Sequence, residues 1–310
     1  MSWIFLATTA QLINAIVAFG DKYLVTDEKA IPKPFVYAFY SCLVTAFWLV
    51  VYLIGLVPGL GELGFPQFSN VRPPTIQVIG MSFFAAYTFF MALVSLYSAL
   101  KHGNTSDVMP VVGAVSAIAT FLAAWLLLNA RLESNFIWGI LLLATGSFLV
   151  TQIHFTKQLF LLTTHGGIFF ALHFIAMKGL FIETSFDDGF FWSRIAFIFF
   201  ALSLLLIPVY NSIIMDQSKR TTRKTGLIVF LNKIMAGIAS FMILKATDWG
   251  DVAVVQALDG LKFVFILIIS ILLGRWLPES FGENNHTAQT ILHKVLYVTI
   301  IVIGYFVLFT

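Results

Sequence analysis

The sequence predicts an all-α integral membrane protein with ten transmembrane helices in two inverted five-helix repeats. Three observations carry this expectation. Of the 310 residues, 59% are hydrophobic and only 11% charged, with a mean hydropathy of +0.93. A soluble domain carries about 25% charged residues, so this much apolar surface requires lipid as its solvent. The apolar residues fall in continuous runs rather than in alternation, which suits helices and not barrel strands. Finally, the stretch from Ala99 to Leu132 is echoed from Ala246 to Leu277, close to half a chain later.

The spans read at about 2–20, 34–57, 76–99, 105–128, 134–152, 158–180, 189–209, 226–247, 250–274 and 291–309. Each is long enough to cross ~30 Å of hydrocarbon at about 1.5 Å per residue. The first begins almost at Met1 without a basic leader, so it reads as a span rather than a cleaved signal. Ile31-Pro32-Lys33-Pro34 precedes the second span, and Gly59-Leu60-Gly61 follows it. Arg72-Pro73-Pro74 leads into the third. A short polar turn, Lys101 to Ser106, joins the third to the fourth, and the fifth closes the first half. The sixth ends near Lys178, the seventh opens on Phe190-Phe191-Trp192, and the eighth ends near Lys245. A second tight turn, Thr247 to Gly250, precedes the ninth, and Gly282-Glu283-Asn284-Asn285 precedes the tenth. The chain therefore reads as one membrane domain, residues 1–310, made of halves 1–154 and 155–310. Five spans per half is an odd number, so the halves are expected to be inverted in the membrane.

Gapless alignment places Gly103 on Gly250, Val108 on Val255, Gly113 on Gly260 and Leu126 on Leu273. Order adds to identity. In each half a span ending near a lysine (Lys22, Lys178) precedes an aromatic-rich span (Phe35-Val36-Tyr37, then Phe190-Phe191-Trp192). A span ending in Lys101 or Lys245 then leads into the turn and the repeated helix. On this register Asp259 and Lys262 face Val112 and Val115, while Pro110 faces Ala257. One half is thus expected to supply charges and the other a bend.

This layout resembles the drug/metabolite transporter superfamily, in particular its EamA-like ten-helix transporters. The resemblance covers nearly the whole chain. It rests on the five-plus-five order, on Ala99-Leu100 before the turn, on Met109-Pro110-Val111 entering the fourth helix, and on Arg194 in the seventh. The chain departs from that family where helices four and nine commonly finish with a Leu-Gly-Glu-like motif. Here those places read Leu128-Asn129-Ala130 and Leu273-Gly274-Arg275. The resemblance implies a substrate path between the halves, ringed by helices one, three, four, six, eight and nine, and both termini inside the cell.

Ionisable residues within spans are the first candidates for a site, because a charge at the bilayer centre costs at least ~2.5–3.5 kcal/mol. Asp259 and Lys262 lie ~14–18 Å into the ninth span, close to the midplane, and their i,i+3 spacing lets them pair. Gln256 is one turn earlier. The trio reads either as a solute or proton site or as a static ion pair. Lys233, beside Asn232, reads as a cavity cation or as a side chain snorkelling to the headgroups. Arg194, just past Trp192, reads as an interfacial arginine pairing with Asp187 or Asp188. Lys178 is also given a pairing role. His173 and Asn14 are candidate solute contacts whose plainer role is interhelical hydrogen bonding, and Tyr87 and Tyr97 are candidate cavity walls whose plainer role is packing. Pro110 and Gly113, with Gly260 in the second copy, are expected to form hinges.

No metal-ligand spacing, phosphate-cradling loop or catalytic motif is present, so the reading is of a non-enzyme without metal or cofactor. The lone Cys42 has no disulfide partner within the chain, and no basic run points to nucleic acid. Asn285-His286-Thr287 is a glycosylation sequon. Basic residues crowd the odd-numbered loops, with Lys219, Arg220, Arg223 and Lys224 in the seventh alone. The other side holds Arg72, Arg131, Lys178 and Lys245. That bias puts both termini outside, opposite to what the resemblance implies. The expected function is secondary transport of a small polar metabolite, such as an amino acid or organic ion, with a proton or other ion as coupling species. A nucleotide-sugar or sugar-phosphate antiporter, clamping anions with Lys233 and Lys262, is the alternative within transport. A lipid-handling or interaction protein without a solute cycle is the alternative outside it. The expected partners are solute and bilayer, the expected location is the cell (inner) membrane, and nothing in the sequence forbids a homodimer.

Overall fold

Apolar backbone in lipid must satisfy its own hydrogen bonds, and these runs do so as helices. The computed structural model describes residues 2–28, 30–57, 65–129, 134–149, 156–273 and 288–307, and among them there is no strand. The order is α1 (Ser2–Thr26), α2 (Pro34–Thr45), a 3₁₀ turn (Ala46–Val50), α3 (Val51–Gly55), α4 (Ile76–His102), α5 (Thr105–Leu127) and α6 (Ser134–Leu149). There follow α7 (Lys157–Glu183), α8 (Phe186–Leu204), α9 (Pro208–Arg220), α10 (Arg223–Trp249), α11 (Val252–Ala257), a 3₁₀ turn (Leu258–Gly260), α12 (Leu261–Leu273) and α13 (Ala288–Val307), and a short 3₁₀ turn (Phe68–Asn70) lies between α3 and α4. Seven segments are long and apolar enough to cross a membrane: α1, α2 with α3, α4, α5, α7, α10 and α11 with α12. The pair α8 and α9 would make an eighth, but it bends by 98°. Shorter apolar stretches, Ser134–Gly146 and Val295–Gly304, lie within α6 and α13. The protein is thus a multi-pass helical membrane protein. The sequon at Asn285, the Gly282–Asn285 and Gly59–Gly61 loops, Arg131, and the departures at Ala130 and at Gly274-Arg275 lie outside the described residues.

Several elements differ from their expected bounds for clear reasons. Helix α1 runs six residues past its expected end at 20, because Asp21 and Lys22 are buried and paired inside the protein rather than released to a loop. The seventh span does not reach 209. Pro208 has no N–H to donate to residue 204, so α8 stops and α9 restarts with proline in its first turn. Helix α5 runs through Pro110, its sixth residue, which removes one hydrogen bond in the second turn. The break falls instead at Leu258–Gly260 in the other half. Asp259 lies within this 3₁₀ turn and Lys262 just after it.

Helices α4 and α10 are the clearest internal match. Each has 27 residues, a threonine N-cap (Thr75, Thr222) and an extended glycine C-cap (Gly103, Gly250). Thr75 Oγ1 accepts from Val78 N and Thr222 Oγ1 from Thr225 N, both at 3.2 Å. Each C-terminus is closed by a lysine from another helix. Lys22 Nζ of α1 donates to Leu100 O and Gly103 O at 2.6 and 2.9 Å. Lys178 Nζ of α7 donates to Thr247 O, Asp248 O and Gly250 O at 2.8, 3.0 and 3.0 Å. A cation at a helix C-terminus satisfies orphan carbonyls and the negative end of the dipole together. Packing crosses between the halves: α1 on α10, α4 on α7 and α8, and α6 on α13.

Removing either lysine should weaken the fold. With charge-assisted hydrogen bonds worth about 1.5–3 kcal/mol each, Lys22→Met and Lys178→Met should each lower the thermal midpoint in detergent by several degrees. Unchanged midpoints in both variants would show that the caps are incidental.

Candidate functional site: a charged cavity between the helices

Helix crossing at the centre leaves a cavity of about 180 Å³. Its wall draws on Gln11, Asn14 and Asp21 of α1, Ser41 of α2, Trp48, Phe89 and Tyr97 of α4, and Ser116 of α5. The second half adds Phe170 and Phe174 of α7, Arg194 of α8, Lys233 of α10, Gln256 of α11, Asp259 and Lys262. Two polar groups lie along it. Asp21 follows Asn14 by seven residues, or ~10 Å along α1, so the groups occupy different depths.

Asp21 is the hub of the first group. Its Oδ1 accepts from Tyr37 Oη at 2.5 Å, from Asn232 Nδ2 at 2.8 Å and from Lys233 Nζ at 2.9 Å. Lys233 also donates to Tyr97 Oη at 2.8 Å, and its ammonium lies 4.0 Å from the centre of the Tyr37 ring. The Asp21 and Lys233 side chains are only 9% and 6% exposed, so this pair is shielded from solvent. Three hydrogen-bonding groups, Tyr37, Asn232 and Tyr97, around two opposite charges are what a pair needs in a low dielectric.

Asp259 and Lys262 make the second group. Lys262 Nζ bridges both carboxylate oxygens, at 2.7 and 2.8 Å. Gln256 Oε1 accepts from Ser116 Oγ at 3.3 Å, and Asn14 Nδ2 donates to Gln11 Oε1 at 3.4 Å. Gly113 permits the close approach of α5 to Asp259: a Cβ there would lie 2.8 Å from Asp259 Oδ2.

Asn14, Lys233, Gln256, Asp259 and Lys262 therefore share the cavity. Gly113, Pro110 and Gly260 are buried in the helices around it. Two expected contacts do not reach it. His173 is buried with Nδ1 2.9 Å from Ala85 O, its ring 4.8 Å from that of Phe89. Tyr87 is 44% exposed on the outer surface beside Phe169 and Phe200, because its helical phase turns it away from the bundle centre. Arg194 is not interfacial: it is buried, at 4% exposure, and lines the cavity. Its expected partners are occupied elsewhere. Asp187 Oδ2 accepts from Gln67 N and Asn70 Nδ2, and Asp188 Oδ1 from Arg72 N, tying the 65–72 loop to the start of α8. Lys178 pairs with backbone carbonyls rather than with a solute. Asp21, Tyr37 and Ser116 enter the site without being expected there, whereas Tyr97, expected like Tyr87 as a cavity wall, does line it. The signal for Asp21 was present: Tyr23-Leu24-Val25 continues the apolar run beyond it with no breaker.

No family model matches the chain, and no curated protein does. Solved structures share its fold. One of them superposes over 97% of this chain and 97% of its own, with a TM-score of 0.61 at 17% identity. At that identity the likeness concerns the fold alone. Fold and cavity together define the class, a multi-pass helical membrane protein with a charged interior.

The Asp21–Lys233 pair makes a sharp test. Lys233→Met leaves a bare carboxylate in the interior and should cost about 3–5 kcal/mol. The double variant Asp21→Asn/Lys233→Met should recover most of that loss in a thermal-melt double-mutant cycle. Additive losses would mean that the two groups are not coupled.

Proposed function

We propose that this protein is a secondary transporter of the drug/metabolite transporter type. It would move a small polar metabolite, such as an amino acid or organic ion, across the cell (inner) membrane by alternating access. The observation that carries the reading is the cavity: five ionisable side chains from both halves surround one space inside an apolar bundle. Intramembrane charge is expensive and marks solute and ion paths. The Asp21–Lys233 pair spans the two halves, so their relative motion would remake it.

The ten-span, inverted-repeat arrangement belongs to the same proposal. It is supported by the matched caps of α4 and α10, by the lysine that closes each, and by the crossed packing of α1 on α10 and α7 on α4. The sugar-phosphate reading has less support, since Lys233 and Lys262 are each already neutralised by an aspartate. A lipid-handling protein without a solute cycle has no need of a polar space around Lys262.

Two experiments test the proposal. Counterflow of radiolabelled metabolites in proteoliposomes should reveal uptake, with and without a pH gradient. Asp259→Ala and Lys262→Ala should each abolish it while protein remains in the membrane. Normal uptake by both variants would remove the site from the mechanism. For the repeat, exposed His102→Cys and Trp249→Cys, each on a Cys42→Ser background, should react with a membrane-impermeant maleimide from opposite faces. Labelling from one face would refute inversion.

A further inference from the structure

The cations buried in the helices are not equivalent. Lys22 and Lys178 cap backbone carbonyls, Lys233 pairs with Asp21, Lys245 with Asp248 and Lys262 with Asp259. Arg194 differs. Among the described residues no ion pair includes it, although its guanidinium offers five donors. Its one hydrogen bond is a long one, Nε to Ser193 Oγ at 3.4 Å. The guanidinium carbon lies 4.7 Å from the Phe190 ring and 4.9 Å from the Phe197 ring, both on its own helix. The rings stabilise the cation through their faces but accept no hydrogen bond.

The cavity thus holds three cations, Arg194, Lys233 and Lys262, and two anions, Asp21 and Asp259. Both anions are committed to lysines. One positive charge remains unmatched on a side chain only 4% exposed, where an isolated charge is strongly unfavourable. Beside it the wall is aromatic. Phe89 packs on Phe197 with ring centres 5.3 Å apart, and Trp48 and Phe174 pack against the cluster that contains Phe190.

We infer that the cavity binds an organic monoanion, with its carboxylate on the Arg194 fork and an apolar or aromatic body against Phe89, Trp48 and Phe174. The planar guanidinium matches a carboxylate in a bidentate fashion. A single unmatched charge favours one negative charge over the roughly −1.5 to −2 of a phosphate monoester. The inference deepens the proposal that this cavity is a solute site.

The test is equilibrium binding of radiolabelled phenylacetate to the purified full chain in lipid nanodiscs. Phenylacetate should bind saturably. Unlabelled phenylacetate should compete, whereas its neutral amide and phenethylamine should be weaker by roughly tenfold or more. Arg194→Gln should lose binding by a similar factor, and Arg194→Lys, which keeps the charge but not the fork, should fall between. If a variant fails to fold, the acid-against-amide comparison on the unmodified chain still decides. Equal competition by the amide, no saturable binding, or unchanged affinity in a folded Arg194→Gln overturns the inference. So does displacement by chloride at equal potency, or tighter binding of phenyl phosphate. Because the readout is binding, a protein that holds phenylacetate but moves nothing would sink only the transport reading. A carrier that moves amines and ignores phenylacetate would sink only this one.

Discussion

Asp21 and Lys233 sit 2.9 Å apart in the middle of an apolar bundle, one on α1 and the other on α10. Neither charge is tolerable there alone, so the pair requires the two helices to meet in one register. That register aligns much else. It brings Tyr37 and Tyr97 onto the same carboxylate–ammonium pair, which draws α2 and α4 to the same place. It also brings Asn232 of α10 within reach of Asp21 and of the Val17 carbonyl on α1. The cavity beside this hub is the space that remains once four helices have converged on two charges.

The ends of the helices follow a second constraint. A long helix leaves carbonyls unsatisfied at its C-terminus, and at α4 and α10 the chain turns too tightly to solvate all of them. Both ends use glycine in an extended conformation and a lysine from a neighbouring helix. The neighbour is α1 in one case and α7 in the other, and each opens its half. A lysine stem long enough to lie along apolar surface, with a compact ammonium at its tip, suits this use. The cost is a positive charge inside the protein, offset by two or three carbonyl oxygens.

Much of the fold was legible in the sequence, and the misreadings are instructive. Continuous apolar runs marked the long helices, and proline and glycine marked most of the turns. A charge does not end a span where its side chain finds partners inside the protein. At Asp21-Lys22 the helix simply continues, because both side chains find partners within the protein. At Pro208 it ends early for want of a donor. At Pro110 the helix continues without a break, so that proline does not end α5. Asp259, Gln256 and Lys262 were readable because they lie close together on one segment. For Asp21 the apolar run beyond it signalled burial but not its partners, which are 16, 211 and 212 residues away.

By itself the sequence determined residence in lipid, helical secondary structure and the position of the polar turns. These depend on composition and on spacings of a few residues. The internal echo, with threonine and glycine at both ends of α4 and α10, was also written there. Only the tertiary structure decided which charges are matched. Whether a buried lysine caps a helix, neutralises an aspartate or faces a cavity depends on the phase and crossing of helices distant in sequence. Arg194 shows this most clearly: its sequence neighbours Asp187 and Asp188 looked like partners, yet backbone donors from the 65–72 loop claim them. Local spacing offers an arginine its neighbours, but packing decides whether they are free to take it.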